Sequence, residues 1–235
     1  MNYAIVLSGG TGVRLGSDIP KQYIEVGGKP IIMYALETIE QTACIDEVCV
    51  VAEEAWQGKI QDRIRDAGLN KVSGFAPAGK TRQHSILNGL EYFAARNPEA
   101  GSTVLIHDAA RPNVSVKLLT GCVEGLESAD GILPVLPVKD TMYLSEDGKQ
   151  ITSLLNRDQL FSGQASESFD FGKYYQINHE LTDEELGAIR GSTEIAFKKG
   201  LLVKLIDGDE NNFKITTAVD LEKFRDQIER NGNHS

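Results

Sequence analysis

The segment Ser8-Gly9-Gly10-Thr11-Gly12-Val13-Arg14-Leu15-Gly16 sets glycines around an arginine, and Lys21 follows in Pro20-Lys21-Gln22-Tyr23. Glycines let a backbone turn tightly and aim consecutive N–H groups at an anion. Arg14 adds a bidentate donor. The chemistry such a loop can do is phosphate binding. It is not the dinucleotide pattern G-x-G-x-x-G, because Leu15 stands where the third glycine belongs and Pro20-Lys21-Gln22 delays any helix. A second candidate is Gly74-Phe75-Ala76-Pro77-Ala78-Gly79-Lys80-Thr81, which matches G-x-x-x-x-G-K-[ST]. Asp108 ends the apolar run Val104-Leu105-Ile106-His107. A carboxylate there can hold Mg²⁺ against phosphate oxygens, because Mg²⁺ needs only one or two carboxylates plus substrate oxygens and water. Taken alone, the second motif describes an ATP-dependent phosphotransferase. That reading leaves the first loop, Lys21 and Lys214 without a role.

These residues need elements to place them. Short apolar runs at Tyr3 to Leu7, Glu47 to Ala52, Lys71 to Gly74, Thr103 to His107, Gly131 to Val138 and Leu201 to Ile206 read as strands. Helical periodicity falls at Pro30 to Glu40, Gln57 to Ala67, Gln83 to Ala95, Val116 to Ser128 and Ala218 to Arg230. The alternation predicts an α/β fold, with a Rossmann-like, mainly parallel sheet flanked by helices. Ligands of such sheets sit at the C-terminal ends of the strands, where the glycine loop and Asp108 fall. Residues 139–168 break the rhythm around Glu146-Asp147-Gly148 and read as a β-hairpin arm. Helical segments are expected at about 169–180, 182–190 and 192–199, inside a single domain spanning 1–235.

The bulk composition narrows the partners. A net charge of −10 sets the overall field against nucleic acid, so any phosphate site must be a local cluster of Arg, Lys and backbone N–H groups. Cys44, Cys49 and Cys122 form no C-x-x-C pair, and Cys44 and Cys49 read as buried thiols. The first residues carry no charged region followed by a long apolar run, and no apolar stretch approaches the roughly 18 residues of a membrane span. A reducing cytoplasm is the expected compartment.

Leu7 to Gly16 followed by Pro20-Lys21-Gln22-Tyr23 resembles the signature of the nucleotide-sugar pyrophosphorylase-like transferases. Within them it is similar to the methylerythritol-phosphate and ribitol-5-phosphate cytidylyltransferases. Gly79-Lys80-Thr81-Arg82-Gln83-His84-Ser85, Ile106-His107-Asp108-Ala109-Ala110-Arg111-Pro112, Pro137-Val138-Lys139-Asp140-Thr141 and Asn212-Phe213-Lys214-Ile215-Thr216 extend the likeness over nearly the whole chain. The resemblance implies transfer of CMP from CTP to a phosphorylated polyol, with Mg²⁺ and loss of pyrophosphate. It implies that Arg14, Lys21 and Lys214 act on the triphosphate, and that Asp108 holds the metal. Leu7, Ser8, Gly9, Gly10, Gly12, Gly79, Arg82 and Ser85 would bind the nucleotide. Arg111, Thr141 and Arg157 would bind the acceptor, the last two across a homodimer that exchanges its arms. A non-catalytic nucleotide-binding module is the third reading.

Two stretches depart from the resemblance. Thr-Pro-Gln is expected where Ala165-Ser166-Glu167 stands, and Thr-Asp-(Glu/Ala) where Arg190-Gly191-Ser192 stands. Both fall on the acceptor side, which points to a changed acceptor: ribitol 5-phosphate or another alditol phosphate is as plausible as methylerythritol phosphate, or more so. Ser166 is the candidate replacement for the missing hydroxyl.

Overall fold

The structure is a computed structural model that describes residues 1–10 and 19–232. The strands are β1 Asn2–Leu7, β2 Glu25–Val26, β3 Lys29–Pro30, β4 Glu47–Ala52, β5 Val72–Pro77, β6 Thr103–Asp108, β7 Gly131–Pro137, β8 Tyr143–Leu144, β9 Ser153–Leu154, β10 Phe161–Gly163, β11 Glu167–Asp170 and β12 Val203–Asp207. The helices are α1 Ile31–Gln41, α2 Glu54–Asp66, α3 Arg82–Ala94, α4 Val116–Glu124, α5 Phe171–His179, α6 Asp183–Ala188, α7 Ser192–Lys198 and α8 Ala218–Gly232.

The main sheet runs β10-β7-β11-β6-β1-β4-β5, with β12 also paired to β7. The pairs β1–β4, β1–β6, β4–β5 and β7–β12 are parallel. Parallel central strands are covered on both faces and therefore read as continuous apolar runs; β4 is buried over its last five residues. Val48 and Val50 face a core shared with α1, α2 and α4. Cys49 and Val51 face the opposite core, shared with α3, α5 and α7. Burial pushes the Cys49 and Cys122 thiols up to about 12, while Cys44 is half-buried. A third cluster joins α8 to the β2–β3 hairpin through Val26, Ile31, Ile215, Leu221 and Phe224. Among the described residues no helix is long and apolar enough to cross a membrane.

Two corrections concern the region after β7. The arm is shorter than 139–168. It closes where Val138 N donates to Leu160 O at 3.1 Å, and its own ladder is the short β8–β9 pair. Residues 161–168 instead return to the main sheet as β10 and the start of β11. Residues 169–170, expected to be helical, complete β11, which is antiparallel to both β6 and β7. Glu167-Ser168-Phe169-Asp170 is short and polar enough to hide its strand character; its one apolar residue, Phe169, stacks on Tyr174 at 4.0 Å. The wedge of β11 between β6 and β7 sets Glu167 beside the end of β6, where Asp108 emerges.

Candidate active site

The loop after β1 is clamped from below. Pro20-Lys21-Gln22-Tyr23 forms one 3₁₀ turn whose Gln22 and Tyr23 are buried. Gln22 Nε2 donates to the carbonyls of Ser8 (2.6 Å) and Gly10 (2.9 Å). Tyr23 Oη donates to Ser8 O at 3.0 Å and accepts from Ser8 Oγ at 2.7 Å; its ring stacks on Trp56 at 4.4 Å. With its carbonyls tied back, the loop leaves Gly9 and Gly10 on the wall of a cleft. Gly9 lies so close to Ala78 that a Cβ would stand 2.5 Å from that methyl, whereas Gly10 faces open space.

That cleft holds about 810 Å³ and gathers Leu7, Gly9, Gly10, Lys21, Gly79, Arg82, Ser85, Asp108 and Lys214, residues widely separated in the chain. Among the described residues the smaller hollows elsewhere carry no comparable set of cations. Arg82 opens α3, whose N-cap Thr81 accepts from His84 N. Ser85 Oγ accepts from Gly79 N at 2.9 Å and so fixes the second wall. Lys214 reaches the end of β6 because Ile215, fully buried, donates its N–H to Ala110 O at 2.8 Å.

The centre of the cleft is a charge cluster. Asp108 accepts from Arg82 Nε at 3.1 Å and Lys214 Nζ at 2.8 Å, and Arg111 Nε lies at 3.9 Å. Burial would push the Asp108 carboxyl up; Arg82, then Lys214 and Arg111, hold it far below the usual carboxylate range instead. It is therefore an anion whose cationic neighbours face an empty volume, a poised arrangement for a polyanion. Among the described residues no group of three or more His, Cys, Asp or Glu could hold a metal by itself. A lone Asp108 fits Mg²⁺ that shares its coordination with phosphate oxygens.

The remaining expected residues are placed as follows. Arg14 and Gly12 lie outside the described residues. Ser8 stands behind the cleft wall: its N–H goes to Val51 O, and its carbonyl and hydroxyl go to Gln22 and Tyr23. Its contribution is therefore to hold the loop, not to touch a ligand. Arg111 is largely buried; Nη1 donates to Asn212 O at 2.5 Å, and Nε is a buried donor without a hydrogen-bond acceptor. Thr141 and Arg157 do not line the cleft of their own chain; Arg157 Nη1 bonds to Lys139 O at 3.1 Å on the exposed arm. Ser166 cannot supply the missing acceptor hydroxyl, because it is fully buried and its Oγ meets His107 Nδ1 at 2.8 Å. His107 is structural: burial lowers it to about 4, and Nε2 lies 3.1 Å from Arg111 O.

The G-x-x-x-x-G-K-[ST] match does not build a phosphate cradle. Gly74 lies within β5, packed against the Tyr92 side chain, and is not part of a phosphate loop. Lys80 Nζ is bonded to Asp183 at 2.9 Å on the rim. Residues that sequence reasoning passed over are Gln22 and Tyr23, which clamp the loop, and Glu53 and Thr216, which line the cleft. Gln22 and Tyr23 do stand in the Pro-Lys-Gln-Tyr motif and Thr216 ends the Asn212–Thr216 motif; Glu53 carries no sequence signal.

Residues 2–228 match the family described as IspD, 2-C-methyl-D-erythritol 4-phosphate cytidylyltransferase. The chain belongs to this family. Within it, the chain is 30% identical over 228 residues to a ribitol-5-phosphate cytidylyltransferase of Lacticaseibacillus paracasei, covering 94% of this chain and 95% of that one. It is 33% identical over 219 residues to a 2-C-methyl-D-erythritol 4-phosphate cytidylyltransferase of Geotalea uraniireducens, covering 93% and 92%. The fold is also that of the 4-diphosphocytidyl-2C-methyl-D-erythritol synthase of Anaerococcus prevotii, with a TM-score of 0.79 at 24% identity over 97% of this chain and 96% of that one. Cytidylyltransferases of the family thus differ in acceptor while matching this chain over nearly its whole length.

Proposed function

We propose that the chain transfers CMP from CTP to a phosphorylated polyol, releasing pyrophosphate and giving a CDP-alcohol. The observation that carries this is the cleft itself: Gly9 and Gly10 on one wall, and Lys21, Arg82 and Lys214 converging on it. The reaction is an in-line attack by an acceptor phosphate oxygen on the α-phosphorus, with pyrophosphate as the leaving group. Both partners are anions, so catalysis is mainly alignment and charge neutralisation. Lys21 and Lys214 draw the reacting phosphates together and spread the charge that builds at the α-phosphorus. Arg14, by the family resemblance, joins them. Removing one such donor lowers the rate on the order of 10²–10³-fold. Gly79, Arg82 and Ser85 form the wall for cytosine and ribose.

Asp108 is the residue that would hold Mg²⁺, which when bound supplies further neutralisation of the triphosphate. Arg111, beside Asp108, serves the acceptor phosphate. Thr141 and Arg157 serve it from the partner subunit of a homodimer. The arm's exposed Met142, Tyr143, Leu144, Ile151 and Leu154 support that assembly, since a monomer would leave them in water.

Ribitol 5-phosphate is the acceptor we favour. Ala165 leaves the acceptor side without the hydroxyl expected there, and Ser166 is committed to His107. The test is pyrophosphate release with CTP and Mg²⁺ across ribitol 5-phosphate, 2-C-methyl-D-erythritol 4-phosphate and arabinitol, mannitol and glycerol phosphates, with ATP, UTP and GTP in parallel. Turnover with CTP and ribitol 5-phosphate is expected. Turnover of methylerythritol phosphate far above every alditol phosphate would overturn the acceptor, and a preference for ATP would overturn the reaction.

A further inference from the structure

Arg82 is anchored at more than one point. Its Nε donates to Asp108 Oδ1 at 3.1 Å, and its Nη1 donates to Ser192 Oγ at 2.7 Å. Ser192 Oγ in turn donates to Glu167 Oε2, which also accepts from Thr193 Oγ1 at 3.1 Å. Arg82 Nη2 lies 3.9 Å from Glu167 Oε1. Glu167 is 8% exposed and Ser192 is fully buried. A buried carboxylate is costly unless it is paired and hydrogen-bonded, so its place in a fold calls for a reason. Asp108 alone would leave the guanidinium free to pivot about Nε. The second anchor at Nη1 removes that rotation, and Glu167 orients the hydroxyl that makes it.

We propose that Glu167 and Ser192 are positioning residues for the nucleotide: through a relay from Glu167 to Ser192 to Arg82 they fix the guanidinium in the cleft. Both residues stand in the two stretches that depart from the family resemblance, Ala165-Ser166-Glu167 and Arg190-Gly191-Ser192. The two departures therefore meet in space and form one device. Through Arg82, Glu167 and Ser192 serve the nucleotide side of the cleft, while the loss of a hydroxyl at Ala165 bears on the acceptor. Burial pushes the Glu167 carboxyl up, and Arg82 and Ser192 only partly oppose this. Loss of Arg82 would therefore leave Glu167 poorly supported, which is the behaviour of a coupled pair. A purely structural Glu167 would only pin α7 to β11, and its loss would lower stability without acting through Arg82.

The inference rests on reading the cleft as the CTP site, and the experiment separates the two. CTP affinity is measured by calorimetry, without acceptor and at fixed salt, for the wild type, E167Q, S192A, R82A and the doubles E167Q/R82A and S192A/R82A. We expect E167Q and S192A each to weaken CTP about 10-fold in the wild-type background and by less than about twofold in the R82A background, because neighbours acting through one group are non-additive. Thermal denaturation confirms that each variant is folded; S192A carries the cycle if E167Q is not. Wild-type protein with no affinity for CTP would overturn the functional reading. Affinity for CTP that R82A leaves within twofold, or equal effects of E167Q and S192A in both backgrounds, would overturn the positioning role.

Discussion

Asp108→Asn removes one charge from a cluster in which every partner is close. Lys214 Nζ, Arg82 Nε and Arg111 Nε stand 2.8, 3.1 and 3.9 Å from the carboxylate oxygens, and the side chain is 11% exposed. At an effective dielectric of about 20 each such contact is worth about 4 kcal/mol before desolvation is counted. Measured losses on breaking a buried pair are about 3–5 kcal/mol, chiefly because the partner charge stays behind unpaired. Here three cations stay behind and repel one another, so about 4 kcal/mol is a fair figure. For a chain of this size that lowers Tm by about 8–15 °C. The same cations, no longer neutralised, attract the triphosphate. CTP added without divalent metal should therefore raise the Tm of the variant more than that of the wild type. Both effects are read from one set of thermal denaturation curves at neutral pH, with and without CTP. A Tm within about 2 °C of wild type, together with an equal or smaller CTP shift, would show that the cations do not depend on Asp108, and the account of the cluster would be wrong.

Gln22→Ala leaves the carbonyls of Ser8 and Gly10 without their buried donor, which costs about 1–3 kcal/mol and loosens the glycine loop; the KM for CTP should rise about 10-fold with a smaller change in kcat. Lys80→Ala should keep turnover within about threefold of wild type, since Lys80 Nζ is exposed and engaged with Asp183; a loss approaching 10²-fold would restore a phosphate-binding role for Gly74–Thr81. Asp220 accepts from the N–H and hydroxyl of both Thr216 and Thr217, bonds that outweigh its burial and lower it to about 2. A depressed carboxyl contributes stability that is present above the unfolded value near 4 and lost as pH falls through about 2. Asp220→Asn should therefore cost about 2 kcal/mol at pH 7, with the deficit vanishing in urea titrations repeated toward pH 2.

The parallel core was legible because each of its strands is buried on both faces and must be written in apolar residues; β1, β4 and β6 show this directly. β11 was not legible. Its four residues include a glutamate, a serine and an aspartate, and its place is fixed by pairing with β6 and β7, partners distant in sequence. The arm was recognised from its turn, but its end was misplaced for the same reason: β10 is a strand only because Pro137, Leu136 and Val135 lie opposite it. At the site, glycines and cations announce themselves by type. What holds them does not. Gln22 acts through a side-chain amide on two backbone carbonyls, and an amide at that position looks like any exposed glutamine until Ser8 and Gly10 are seen above it. Ser166 misleads for the converse reason, since a serine near an expected phosphate resembles a donor, whereas its hydroxyl is held by His107.

Cations of the cleft are already committed to carboxylates. Arg82 and Lys214 share Asp108, and Lys80 is held by Asp183. Binding a nucleotide is therefore an exchange of partners, in which phosphate oxygens take the place of the Asp108 oxygens at Lys214, and ribose or base acceptors do so at Arg82. Such an exchange spares the protein the cost of gathering like charges in an empty pocket, which a chain of net charge −10 could offset only weakly from a distance. It also requires that the cations not relax onto their carboxylates altogether. The backbone bond from Ile215 to Ala110 keeps Lys214 at the end of β6 whichever partner it takes. For Arg82 the relay from Glu167 through Ser192 does the corresponding work, holding the guanidinium by an end that the nucleotide does not need. Carboxylates on this wall thus serve two opposite purposes: Asp108 gives way to the ligand, and Glu167 does not.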